Sequence, residues 1–272
     1  MTINCKGKLI DLTTPKVMGI LNITPDSFFD GGKYSNAKAI VVQAEKMLDE
    51  GATFIDVGAY SSRPGAHHIT EEEELNRIVP VIELLVREFP EICISVDTFR
   101  SKVAKETINA GAAIVNDISG GKMDEFMFAT IAELQVPYIV MHMQGTPQSM
   151  QLNPKYDDVV KEVISFFAEQ LFKLRALKVN DVIIDVGFGF GKTIAHNFEL
   201  LKKLDLFKSL DVPILTGVSR KSMLYKTLQT TPKEALNATT VANTIALMKG
   251  THILRVHDVK EAVEAVTIYN QL

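Results

Sequence analysis

Residues Ile92–Asp117 read ICISVDTFRSKVAKETINAGAAIVND. The apolar run Ile92–Val96 has the length of a buried strand and ends on Asp97. Ser101–Asn109 follows with a helical pattern, and Gly111 closes it, glycine being the residue that most easily takes the left-handed turn at a helix end. A second short apolar run, Ala113–Val115, ends on Asn116 and Asp117. Neither run alternates apolar with polar residues. Strands of that kind, joined by a helix, are parallel and buried on both faces.

The unit recurs on either side. Strand Val17–Leu21 precedes a helix over Asn36–Glu50, and strand Thr53–Val57 precedes a helix that begins at Thr70 with four glutamates and continues to about Phe89. A hydroxyl cap followed by an acidic first turn is a strong helix start. Beyond the quoted stretch a helix lies near Asp124–Leu134. Strand Tyr138–Met141 then leads to helix Asp157–Lys178, and strand Val182–Ile184 to a helix over His196–Leu204. Strand Ile214–Thr216 leads to a helix over Pro232–Lys249, and strand His252–Arg255 to a last helix from Asp258 to Tyr269. Eight such units in 272 residues, with no low-complexity linker, predict a single-domain α/β protein. The expected architecture is a (β/α)8 TIM barrel over about 16–272, preceded by a short N-terminal segment in which Lys6–Pro15 forms a hairpin or plug at the barrel bottom. A doubly wound open sheet is the alternative.

Composition narrows the function. With 29 basic and 33 acidic residues the net charge is −4, which offers no electrostatic footprint for nucleic acid or an anionic membrane surface. No apolar run is long enough to span a bilayer, and MTINCKGKLIDL lacks the apolar core of a signal peptide. The two cysteines, Cys5 and Cys93, lie far apart without metal-ligand spacing and fit a reducing cytoplasm.

Polar residues collect at strand ends: Asn22, Asp56, Asp97, Asn116, His142, Asp185, Lys221 just beyond its strand, Arg255 and His257. In a barrel these ends converge on the face that carries the active site. A lone buried Asp at such a place is often a loop cap, but so many converging charges are costly unless they serve a ligand or one another. Asp97, Asn116 and Asp185 offer acceptors and an amide to a ring rich in N–H donors. Lys221 and Arg255 can hold carbonyl oxygens or stack on an aromatic ring. Arg255, His257 and Asn22 suit a phosphate, and Asn22 with Asp26 offers hard oxygens to Mg²⁺. The stretch DVGFGFGKT at Asp185–Thr193 is not a phosphate-binding P-loop, because Val186 stands where its first glycine belongs. Its glycines let backbone approach a flat ligand, with Lys192 expected at the rim.

These residues resemble the dihydropteroate synthases, the pterin-binding barrels of folate biosynthesis. The resemblance runs from Val17 to Tyr269 through GILNITPDSF at Gly19–Phe28, SRPGA at Ser62–Ala66, SVDTFR at Ser95–Arg100, NDISGG at Asn116–Gly121, MHMQGTP at Met141–Pro147, GFGFGK at Gly187–Lys192, GVSRKSM at Gly217–Met223 and RVHDV at Arg255–Val259. It implies a transferase that condenses 6-hydroxymethyl-7,8-dihydropterin pyrophosphate with 4-aminobenzoate, with Mg²⁺ as cofactor, in a homodimer. The pterin would be held by Asp97, Asn116, Met143, Asp185, Lys221 and Arg255. Pyrophosphate would meet Asn22, Ser62, Arg63, Arg255 and His257, and Mg²⁺ would meet Asn22 and Asp26. Phe28, Ser62, Arg63, Pro64, Phe188, Phe190 and Ser222 would shape the 4-aminobenzoate pocket. Asp97, Lys221, Arg255, His257 and Asp30 would carry the chemistry, the two aspartates stabilising a cation at the pterin methylene.

The chain departs from the common pattern at Tyr60, where Glu is usual, at Ser62, where Thr is usual, and at Val186, where Pro is usual. Two other functions share parts of the pattern. A methyltetrahydrofolate:corrinoid methyltransferase barrel would keep the pterin face without the TPDSF, SRP and SRK motifs. A non-catalytic pterin-binding paralogue would be expected to lose the cationic residues.

Overall fold

The computed structural model describes residues 1–23, 32–61 and 68–272, and for 32–36 the backbone alone. Two short strands, β1 (Thr2–Cys5) and β2 (Lys8–Asp11), form an antiparallel hairpin with Cys5 opposite Lys8. Its two turn residues, Lys6 and Gly7, both have positive φ, the geometry whose twist matches paired strands. The expected hairpin is therefore present but lies earlier in the chain, since a lysine in a left-handed turn gives no sequence signal.

Eight parallel strands follow: β3 (Lys16–Asn22), β4 (Phe54–Gly58), β5 (Ile94–Asp97), β6 (Ile114–Asp117), β7 (Tyr138–Met141), β8 (Val182–Asp185), β9 (Ile214–Thr216) and β10 (Ile253–Val256). Each pairs with its neighbour in sequence, and β10 pairs with β3, so the sheet closes. The doubly wound alternative is excluded, because an open sheet would leave two edges. The outer helices are α1 (Gly32–Asp49), α2 (Glu71–Glu88), α3 (Ser101–Asn109), α4 (Met127–Leu134), α5 (Val159–Ala176), α6 (Ile194–Lys202), α7 (Ser222–Thr227), α8 (Leu236–Met248) and α9 (Val259–Tyr269). Helix α2 starts where its sequence directs: Thr70 Oγ1 accepts from the Glu73 N–H at 3.1 Å. Asp158 caps α5 in the same way, accepting from the N–H groups of Val160 and Lys161. The short helix α7 was not legible beforehand. Six residues carry too little pattern.

Two apolar layers fix which way each strand residue points. Met18, Phe54, Ile114, Ile139, Ile183, Leu215 and Ile253 meet inside the barrel floor, where Ile3, Cys5 and Leu12 of the N-terminal segment plug it. Val17, Leu21, Ile55, Val57, Val96, Val115, Val140, Ile184, Leu254 and Val256 point the other way, into the layer beneath the helices. Asn4 N–H donates to Asp181 Oδ2 at 3.1 Å and Lys6 Nζ to the Gly111 carbonyl at 3.1 Å, which ties the plug to the loops around it.

Candidate active site

Side chains alternate along a strand, so a residue two positions after a floor residue points into the upper barrel. Phe54 is followed in this way by Asp56, Ile114 by Asn116, Ile183 by Asp185 and Ile253 by Arg255. Parity and closure together bring these chains to one place.

Arg255 is the centre of the set. Its Nε donates to Asp56 Oδ2 at 2.6 Å and its Nη2 to Asp97 Oδ2 at 2.8 Å. Asn116 Nδ2 donates to the same Asp56 oxygen at 3.1 Å. Asp56 is fully buried, and its other oxygen, Oδ1, has no partner among the described residues. A guanidinium shared between two carboxylates is held in one plane.

The second half of the site faces it from β8 and β9. Asp185 Oδ1 accepts from the Gly187 N–H at 2.8 Å. Lys221 Nζ donates to the Phe188 carbonyl and stands 4.8 Å from the centre of the Phe190 ring. A Cβ on Gly217 would lie 3.8 Å from Asp185 Oδ2, 3.9 Å from Lys221 Nζ and 3.9 Å from Arg255 Cβ. Glycine there leaves open the space those three groups share. Burial pushes Asp97 up to about 7 despite Arg255 beside it. It raises Asp185 as well, and it lowers Lys221 to about 8. Such shifts mark groups whose protonation a ligand can change.

At the rim, His257 N–H donates to Ser219 Oγ at 3.1 Å, and Ser219 Oγ lies 3.0 Å from His257 Nδ1. Asn22, half-buried at the end of β3, borders the same opening. A Cβ on Gly58 would fall 3.7 Å from Asp97 Oδ2 and 3.8 Å from Asn22 Oδ1, so Gly58 keeps the gap between those oxygens clear. Met143 forms an apolar wall with Met141, Ile118 and the half-buried Phe190. Ser222 is half-buried at the first position of α7, next to Lys221.

The structure therefore gathers Asn22, Asp97, Asn116, Met143, Asp185, Phe190, Lys221, Ser222, Arg255 and His257 around one mouth. Asp26, Phe28, Asp30, Ser62, Arg63 and Pro64 lie outside the described residues. Two expectations, for Phe188 and Lys192, are corrected. Phe188 is fully buried in the layer beneath the helices, so it offers the mouth its carbonyl and not its ring; Phe190 is the ring at the mouth. His142 also turns outward, edge-on to Phe166 at 5.0 Å, because it follows the inward Met141 by one position. Lys192 is buried, with 3% of its surface exposed, and is not at the rim. No specific role follows from the sequence for Asp56, which holds both Arg255 and Asn116, or for Ser219. The place of Asp56 at the end of its strand was the available signal for it.

Tyr60, one of the departures from the common pattern, is not idle. Its hydroxyl accepts from Gln148 Nε2 at 2.8 Å and lies 3.2 Å from His68 Nδ1, and its ring meets Phe99 edge-on at 4.9 Å. Beside it Arg100 pairs with the fully buried Glu74 and donates to the Ile69 carbonyl at 2.6 Å.

Comparison with known proteins agrees with this geometry. A family model described as pterin binding enzyme matches residues 18–257. The dihydropteroate synthase of Escherichia coli (strain K12) is 45% identical over 98% of this chain and 95% of its own. The crystal structure of the Yersinia pestis dihydropteroate synthase with a sulfonamide drug complex superposes with a TM-score of 0.93 at 42% identity, covering 100% of this chain and 98% of that one. A Xanthomonas albilineans dihydropteroate synthase with 4-aminobenzoic acid gives 0.92 at 38% identity, covering 99% and 97%. Matched over nearly its whole length in sequence and in fold, the chain belongs to the pterin-binding enzyme family, among the dihydropteroate synthases.

Proposed function

We infer that the chain joins 6-hydroxymethyl-7,8-dihydropterin pyrophosphate to 4-aminobenzoate, releasing pyrophosphate and forming 7,8-dihydropteroate. The observation that carries this reading is the largely buried set of Asp56, Asp97, Asn116, Asp185, Lys221 and Arg255 at the top of a closed barrel. It presents carboxylates and an amide to a flat heterocycle, with a cation on either side.

Asp97, Asn116 and Asp185 take the N–H groups of the pterin, and Lys221 takes its carbonyl oxygen. Arg255, fixed in plane by Asp56 and Asp97, stacks on the ring and reaches the diphosphate with His257 and Asn22. Met143 and Phe190 close the sides of the slot. Departure of pyrophosphate leaves positive charge at the exocyclic methylene, and the Asp97 carboxylate stabilises it. The arylamine then attacks carbon that is already electrophilic, so no strong general base is needed. Ser222 and Phe190 border the second-substrate pocket, to which Phe28, Ser62, Arg63 and Pro64, outside the described residues, are also assigned, and Asp30 shares the charge stabilisation with Asp97.

The oxygens of Asn22 and Asp97 border one clear gap, a donor set that suits a hard cation held mainly by phosphates and water. We propose Mg²⁺ with Asn22 as a protein ligand, together with Asp26, which lies outside the described residues. When bound it neutralises charge on the leaving group. Val241, Ile245 and Met248, exposed at helical spacing on α8, support a homodimer built on that face. Among the described residues no helix is long and apolar enough to cross a membrane. With two free cysteines and a net charge of −4, a cytoplasmic enzyme that binds neither nucleic acid nor membrane is the reading proposed. The cations whose loss a non-catalytic paralogue would show, Lys221, Arg255 and His257, are all in place.

Purified protein mixed with both substrates and Mg²⁺ should release pyrophosphate only when 4-aminobenzoate is present. Absence of that dependence overturns the reading.

A further inference from the structure

Among the described residues, Lys192 is the most deeply placed cation that the proposed chemistry leaves unused. Its ammonium lies 3.0 Å from His142 Nδ1, 3.1 Å from the His142 carbonyl, 3.0 Å from the Gly187 carbonyl and 3.0 Å from the Phe190 carbonyl. All four partners are neutral groups. A buried ammonium is costly unless its N–H bonds are satisfied, and three carbonyls match its three protons. Burial holds its pKa well below the ordinary lysine value.

Those partners belong to two segments that leave paired strands: β7 and β8 are in register up to Met141 and Asp185, and the His142 N–H donates to the Asp185 carbonyl at 3.0 Å. One is the end of β7, where His142 precedes the slot residue Met143. The other is the glycine-rich loop after β8. They approach so closely that a Cβ on Gly187 would fall 2.0 Å from the His142 carbonyl, and one on Gly191 would fall 2.5 Å from the Gln144 carbonyl. Glycine permits the approach, and Lys192 supplies the attraction across it. The same loop then holds the pterin side of the site. Its Gly187 N–H orients Asp185, its Phe188 carbonyl accepts from Lys221, and its Phe190 ring lies beside the Lys221 ammonium.

We propose that Lys192 is a positioning residue for the pterin subsite: its ammonium staples the glycine-rich loop to the end of β7, and so sets Asp185, Lys221 and Met143 relative to one another. It touches no substrate. The proposal rests on the pterin reading above, so the test begins with wild-type protein and a 6-hydroxymethylpterin probe in a calorimetric titration. Failure of wild type to bind overturns the pterin reading itself and this proposal with it.

With binding established, Lys192→Met keeps the length of the side chain and removes the charge. The folded variant should bind the probe at least tenfold more weakly. A role in stability alone would lower Tm and leave the probe affinity unchanged, which would overturn the proposal. Should Lys192→Met fail to fold, the wild-type lysine ammonium signals in a ¹⁵N NMR spectrum decide. One slowly exchanging Nζ resonance should shift when the probe binds. A Nζ resonance indifferent to the probe would equally overturn it.

Discussion

Arg255 Nε lies 2.6 Å from Asp56 Oδ2, although 199 residues separate the two in the chain. The contact joins the last barrel strand to the second, across the seam where β10 meets β3. It fixes the plane of the guanidinium, and Asp97 holds the other edge of the fork. Asp56→Asn should therefore weaken pterin binding without dismantling the barrel. A hydrogen bond to a charged group is worth about 1.5–3 kcal/mol, so the pterin Kd should rise roughly tenfold to a hundredfold. Titration calorimetry with a circular dichroism control checks this, and an unchanged Kd would remove Asp56 from the site.

The pH profile should be narrow. Burial raises Asp97 to about 7 and lowers Lys221 to about 8. The productive form has Asp97 ionised and Lys221 protonated. Thus kcat/KM for the pterin substrate should rise to about pH 7 and fall above about pH 8. Because the folded pKa of Asp97 is raised from 3.8, the folded state holds this proton longer than the unfolded chain does. This residue therefore makes stability fall as pH rises from about 4 to 7. Asp97→Asn should remove that slope from urea unfolding across the window; an identical slope in the variant would refute the assignment.

Ser219 should matter to the diphosphate and not to the ring. Its hydroxyl accepts from the His257 N–H and lies 3.0 Å from Nδ1, so it sets the direction of the imidazole. Ser219→Ala should raise KM for the pterin pyrophosphate about tenfold, the worth of roughly 1.4 kcal/mol. Affinity for the pterin without its diphosphate should not change. Equal losses for both ligands would show that Ser219 acts on the fold.

Glu74 and Arg100 test stability away from the chemistry. The Glu74 side chain is fully buried, takes the guanidinium of Arg100, and accepts from Thr98 Oγ1 at 2.7 Å. Removing one member of such a pair leaves a buried charge and costs about 3–5 kcal/mol. Glu74→Leu should lose that much in urea unfolding, and the double replacement of Glu74 and Arg100 by apolar residues should recover part of it. A loss below about 1 kcal/mol, the value of an exposed pair, would contradict the burial.

The chain by itself determined the barrel and the chemistry available to it. Units such as Ile92–Asp117 are local, and their caps at Thr70 and Asp158, like their glycine stops, act within a few residues. What it could not determine was which of two neighbouring polar residues faces the lumen. Strands buried on both faces carry no alternation of apolar and polar residues, so their parity is invisible until the barrel closes. Closure turns Asn116 inward but Asp117 outward to Tyr138, where its Oδ2 accepts from the phenol at 2.6 Å. It also turns Met143 toward the mouth and His142 away from it, and it buries the ring of Phe188 while leaving that of Phe190 half-exposed. Asp56 found Arg255, and Lys192 found the carbonyls of two loops, only through contacts that closure creates.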